Sequence, residues 1–170
     1  LIEEAKTHNV GLCYEPALPN GNLINLRKGS MTIVLTCKGK STHAGRHFHD
    51  GINAIEGLVE FLSLFHSQQL PSQKTQVNWG EIHGGEAANI VPDFAMCRIN
   101  IRAFKATDIE NTKDILKGLI KTFNMNRRTQ IALLEETYRP PKILDKSSEK
   151  LFDHLNTCIS QLDLDIEYES

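Results

Sequence analysis

The stretch DFAMCRINIRAF, residues 93–104, sends Cys97, Ile99 and Ile101 to one side of an extended chain and Arg98, Asn100 and Arg102 to the other. Side chains along a strand alternate between faces, so this pattern describes a strand with one face in a core and the other open. A half-buried strand needs neighbours. Residues 30–38 repeat the period, with Met31, Ile33, Leu35 and Cys37 set against Thr32, Val34, Thr36 and Lys38. KTQVNWGEI (74–82) reads as another strand, interrupted by Gly84-Gly85, and residues 130–138 as a fourth.

Two helices separate these strands. Ile55, Leu58, Val59, Leu62 and Phe65 recur at helical spacing, with Asp50 as the start signal and QQLPSQ (68–73) as the stop. Thr107 and Glu110 form a T-x-x-E capping box ahead of an apolar stripe of Ile109, Ile115, Leu116, Leu119, Ile120 and Phe123. The order is βαββαβ. It predicts an α+β, ferredoxin-like two-layer sandwich, a four-stranded antiparallel sheet with both helices on one face.

The flanks are too small to bury cores of their own. Residues 1–27 read as a helix end, a short strand GLCYE (11–15) and a turn-rich connection. Residues 139–170 read as a helix carrying Leu151, Leu155, Ile159 and Leu162, then a strand, LDIEYE (164–169). The expectation is that 28–138 is an insertion and that 1–27 and 139–170 are the cut ends of a second, α/β domain; a decorated single domain is the alternative. The chain lacks an initiator Met and reads as an internal piece of something longer.

Composition narrows the class. Over 170 residues, 40% are apolar and 24% charged, and the net charge is −2, without a Lys/Arg run. That balance argues against a nucleic-acid partner. No apolar run approaches the ~20 residues that span a bilayer, so no membrane partner is expected either. Cys13, Cys37, Cys97 and Cys158 are scattered without a C-x-x-C pair, which suits reduced, buried thiols and a cytoplasmic setting.

Chemistry concentrates at strand ends. GKSTHAGRHFHDGINAI (39–55) holds His43, His47 and His49. With Asp50 these could supply four metal donors, but the loop lacks a framework such as HExxH, and His47 and His49 suit surface positions better. His43 stands apart because Ala44 and Gly45 beside it let a ligand approach closely; a histidine bonded only within its own loop is the plain alternative. GEIHGGEAANIVPD (80–93) has glycines but no phosphate-loop pattern, and Asn89 in it can orient a carboxylate or simply make a turn. Arg102 is a surface charge or a bidentate carboxylate fork. Glu15, before a proline, is a loop acid or a metal ligand.

Taken in order, YEPALPNG (14–21) with LRKG (26–29), CKGKSTHAG (37–45) with DGINAI (50–55), GGEAANIVPD (84–93) and RINIRA (98–103) resemble one family. It is the dizinc metallopeptidase and deacylase family of glutamate carboxypeptidase, acetylornithine deacetylase, succinyl-diaminopimelate desuccinylase and aminoacylase. The glutamate carboxypeptidase type is the nearest in pattern, and the resemblance covers nearly the whole chain.

The resemblance implies a two-metal catalytic domain, zinc or cobalt, interrupted by a βαββαβ lid that also forms a homodimer. Glu15 would be a metal ligand. His43 would reach into the active site of the other protomer and donate to the oxyanion, and Asn89 and Arg102 would bind the carboxylate and neighbouring polar groups of an N-acyl amino acid or dipeptide. A donor aimed at a developing oxyanion is worth about 3 kcal/mol. The family's remaining metal ligands and its general-base glutamate are absent, and Glu3 and Glu4 take no role. The isolated chain is therefore expected to lack amidase activity. A non-catalytic, small-molecule-binding regulatory βαββαβ module is the rival reading.

Overall fold

A computed structural model describes residues 2–8, 11 and 18–169. In chain order its elements are α1 (Ile2–Ala5), β1 (Leu23–Ile24), β2 (Gly29–Lys38), β3 (Thr42–His43), α2 (Ala54–His66), β4 (Gln76–Gly84), β5 (Ile90–Val91), β6 (Phe94–Ala103), α3 (Ala106–Asn126), β7 (Gln130–Arg139), α4 (Lys146–Gln161) and β8 (Tyr168–Glu169). A single 3₁₀ turn, Phe48–Asp50, follows β3. The chain divides into two compact units, residues 27–142 and residues 1–26 with 143–170.

In the larger unit β2, β4, β6 and β7 form one antiparallel sheet in the order β4-β6-β2-β7. With α2 and α3 this is the α+β, βαββαβ arrangement that the strand periods predict. Met31, Ile33, Leu35 and Cys37 of β2 and Ala95, Cys97, Ile99 and Ile101 of β6 are buried among Leu58, Phe61 and Phe65 of α2 and Ile109, Leu116 and Phe123 of α3. Phe61 meets Phe123 edge to face, ring centres 5.4 Å apart, and so joins the two helices over the sheet. Ser30, Thr32, Arg98, Asn100 and Arg102 occupy the opposite face, as the alternation requires.

Both edge strands carry an irregularity, between Trp79 and Glu81 in β4 and opposite Val34/Leu35 in β7. Such bulges twist an edge and disfavour indiscriminate pairing.

Two predicted helix starts move. Helix α2 begins at Ala54 and not at Asp50, because Asn53 is its cap: Asn53 Oδ1 accepts from the N–H groups of Ile55 (3.0 Å) and Glu56 (3.2 Å). Asp50 instead closes the 3₁₀ turn. Helix α3 begins at Ala106, which places Thr107 inside the first turn, so the T-x-x-E box does not form and Lys105 takes the cap position without a side-chain bond.

The smaller unit pairs β1 with β8 in parallel. Asn20 and Asn22 both donate to Glu169 Oε1, at 2.6 and 2.8 Å, and these bonds hold its carboxyl below the usual range. Asp145 caps α4 by accepting from Ser148 N–H at 2.7 Å. The helix ends at Gln161, so Leu162 lies just beyond it. The predicted strand at 11–15 falls outside the described residues, apart from Gly11.

Candidate functional site

The histidine loop is stitched to the segment between β4 and β6. Thr42 and His43 (β3) pair antiparallel with Val91 and Ile90 (β5), and Ala44 N–H donates to the Asn89 carbonyl at 2.9 Å. Below this ribbon, Lys40 and Ile52 exchange N–H···O bonds of 2.8 and 2.9 Å, Gly39 N–H donates to Asp93, and Ala54 N–H donates to Pro92. Glycine is required at position 39, since a Cβ there would stand 2.0 Å from the Ile52 carbonyl oxygen.

His43 is exposed on this ribbon. Its Nδ1 accepts from Gly45 N–H at 3.1 Å. A backbone amide can only donate, so the neutral ring carries its proton on Nε2, which becomes the outward donor. The Arg46 and His47 N–H groups close on the His43 carbonyl, fixing its backbone. Asn89 is exposed beside it. His47 instead turns to Asp50, 3.7 Å away, and His49 packs edge-on against Phe48.

Two cavities flank the same end of the sheet. One, of about 470 Å³, is lined by Ala44, Phe48, Asn53, Ile55, Ile90 and Val91 among others. The other, about 310 Å³, is lined by Ser41, His83, Ile90, Asp93, Phe94 and Met96 among others. Gly84, Gly85 and Glu86 line both.

Arg102 is not part of this cluster. It pairs in register with Ser30 and Gln76 at the far end of the sheet, eight residues along β6 from Phe94, about 26 Å at the rise of a strand. The structure thus brings His43 and Asn89 together and sets Arg102 apart. The two arginines of the open face also differ. Arg98 Nη1 donates to Glu81 Oε1 at 3.3 Å, whereas Arg102 donates through Nε to Asn100 Oδ1 at 2.8 Å and meets no carboxylate among the described residues. Asn100 is the residue that sequence reasoning passed over; its signal was the shared strand face, two positions before Arg102.

Glu15 lies outside the described residues. Among the described residues no three His, Cys, Asp or Glu side chains come together as a metal site, and no helix is long and apolar enough to cross a membrane. Burial pushes the thiols of Cys37 and Cys97 up to about 11, so neither is a ready ligand or nucleophile.

Comparison with known proteins assigns the fold a family. A family model described as a peptidase dimerisation domain, of the M20 class, matches residues 25–127. An M20 domain-containing peptidase of Schizosaccharomyces pombe is 33% identical over 122 residues, 69% of this chain and 28% of that protein. A p-aminobenzoyl-glutamate hydrolase homolog of Haemophilus influenzae is 29% identical over 99 residues, 55% of this chain and 23% of that protein. The crystal structure of the aminopeptidase PepT from Bacillus cereus superposes with a TM-score of 0.73 at 16% identity, covering 91% of this chain and 41% of that one. The chain spans about a quarter of the length of the curated relatives it matches. Strands β2, β4 and β6, helices α2 and α3 and more than half of the chain's length lie within the matched region, and the chain belongs to the M20 peptidase dimerisation-domain family.

Proposed function

We propose that this chain is the lid and dimerisation region of a metal-dependent amidohydrolase, a carboxypeptidase or N-acyl amino acid deacylase, that cleaves an amide bond next to a carboxylate. The observation that carries the reading is the β3–β5 ribbon, which presents the Nε2–H of His43 beside Asn89 on a stitched, exposed loop. A neutral imidazole donor held in this way suits an amide oxygen that gains negative charge in the transition state. The name of the Haemophilus relative, a hydrolase of p-aminobenzoyl-glutamate, supports a substrate with a carboxylate beside the cleaved amide.

The lid would be an insertion. Arg27 and Lys142 lie side by side, each exchanging N–H and carbonyl with the other at 3.2 and 2.9 Å, so the unit enters and leaves at one place. The metals, two zinc or cobalt ions, would belong to the full-length enzyme, with Glu15 as the carboxylate ligand from this chain. The described residues do not form a metal centre between them. The lid's own part is hydrogen-bond donation by His43 and Asn89 and carboxylate binding by Arg102.

The separation of these residues fits a homodimer. β4 is an edge strand, and Val59 of α2 and Ile82 of β4 leave more than half of their surface exposed, at 55% and 53%. Antiparallel pairing of two β4 edges about a twofold axis sets the Gly84 end of one protomer beside the Gln76 end of the other. His43 and Asn89 of one protomer would then share an end with Arg102 of its partner, and one site would draw on both.

The test is kinetic, in the full-length enzyme, on a panel of N-acyl amino acids and dipeptides that includes p-aminobenzoyl-glutamate. His43→Ala is expected to lower kcat about 100-fold, the scale of one oxyanion donor, and Arg102→Ala to raise KM for carboxylate substrates. Parent-like kinetics in both variants would overturn the reading in favour of a regulatory module.

A further inference from the structure

Arg102 owes its freedom from carboxylates to a neutral neighbour. On the open face of β6, Asn100 Oδ1 accepts from Arg102 Nε at 2.8 Å. The Asn100 amide is fixed in turn by β2: Nδ2 donates to Ser30 Oγ at 2.9 Å, to Thr32 Oγ1 at 3.1 Å and to the Met31 carbonyl at 3.4 Å. With its nitrogen so engaged, the amide can present only its oxygen to the arginine.

Consider what this leaves the guanidinium. It has five N–H donors, and Nε is the one that lies along the side chain. Holding that donor fixes the guanidinium plane and leaves the terminal NH₂ groups, whose fork matches a carboxylate, without a partner among the described residues. An amide oxygen does so without cancelling the positive charge. Arg98, four residues back on the same face, shows the contrast, because Glu81 already occupies its terminal nitrogen. A free arginine would lose rotamer entropy on binding; here part of that loss is taken during folding, which favours binding.

We infer that Asn100, anchored by Ser30 and Thr32, is a positioning residue that presents the Arg102 terminal nitrogens to a substrate carboxylate. The inference rests on the proposed role of Arg102 and adds to it the group that aims it.

Two measurements test it. In this chain, the Arg102 Nε–H should exchange with solvent more slowly than those of unpaired arginines by side-chain ¹⁵N NMR, and Asn100→Leu should abolish that protection. In the full-length enzyme on p-aminobenzoyl-glutamate, Asn100→Leu should raise KM about tenfold with kcat within twofold, and should add less than twofold in an Arg102→Ala background. Asn100→Asp separates geometry from charge: it keeps an acceptor for Arg102 Nε, to which the Ser30 and Thr32 hydroxyls can donate, but its carboxylate offsets the guanidinium charge, so the Nε–H protection should persist while KM stays raised at least about tenfold. Unchanged Nε–H exchange in Asn100→Leu overturns the inference. So does a KM penalty that persists undiminished without Arg102, which would mark a merely structural role. If Arg102→Ala raises KM and Asn100→Leu does not, the inference alone fails; if Arg102→Ala leaves KM unchanged, the carboxylate reading fails and takes the inference with it.

Discussion

Ala44 N–H donates to the Asn89 carbonyl at 2.9 Å, so the two polar segments of the lid are tied into one ribbon. Its base depends on Gly39, where an added Cβ would lie 2.0 Å from the Ile52 carbonyl oxygen and 3.1 Å from Ala54 N. Those neighbours are backbone and cannot rotate away. Gly39→Ala is expected to cost about 1–3 kcal/mol, the range for overpacking, and to lower kcat in the full-length enzyme more than it raises KM. Gly45→Ala meets only the His43 ring at an ordinary 3.4 Å and should fold like the parent. Urea denaturation of the two variants checks the contrast.

The core makes a second prediction. Phe61 is fully buried and bridges α2 to Phe123 of α3. Phe61→Ala should destabilise the chain by about 3–5 kcal/mol, as transfer and cavity terms add. Leu64→Ala, one turn on and 40% exposed, should cost less than about 1 kcal/mol on the usual scale for surface changes. Denaturation midpoints at equal slope separate the two.

The fold was legible because its central strands declare their faces. β6 shows a period of two along its whole length and β2 over its first half, and the stripe on α3 gives its buried face directly. Helix starts were less legible, since Asp50, Asn53, Lys105 and Thr107 all lie within a turn of a start and only backbone geometry decides which caps. The Asn53 pattern, with Glu56 three residues on, was as strong a signal as Thr107–Glu110, and it is the one that forms. Candidate site residues could be named from motif order, but not their spacing in the fold. Arg102 is thirteen residues from Asn89 in sequence, yet β6 carries it to the opposite end of the sheet.

The thiols predict a pH dependence. Burial raises Cys37 and Cys97 from 9.0 to about 11, so between those values the unfolded chain releases protons that the folded chain retains. Stability contributed by the protonated thiols is complete below pH 9 and is lost as pH rises through about 11. Denaturation between pH 8 and 11 should show this fall, reduced in Cys37→Ala relative to its own value at pH 8. At pH 8, iodoacetamide should modify the exposed Cys158 in the native chain and reach Cys37 and Cys97 only after unfolding.

The proposed dimer supplies the last prediction. A twofold interface repeats every substitution, so one charge placed near the axis becomes two like charges facing each other. Ile82 projects from the β4 edge and Val59 from α2, both exposed in the single chain. With about half of the Ile82 surface already covered in the single chain, burying the rest contributes roughly 0.8–1.5 kcal/mol on each protomer, about 1.5–3 kcal/mol in total, and two facing carboxylates add repulsion to that loss. Ile82→Asp should therefore weaken self-association at least 100-fold and leave a monomer at micromolar concentration in sedimentation velocity. Its unfolding midpoint, extrapolated to low protein concentration, should stay near that of the parent, because Ile82 lies outside the buried core. Leu134→Asp on the opposite edge, also exposed at 69%, is the control and should leave the dimer intact. A dimer that survives Ile82→Asp but not Leu134→Asp would move the interface to β7. It would then remove the geometric reason for bringing His43 of one protomer to Arg102 of the other, because β7, unlike β4, is separated from β6 by β2.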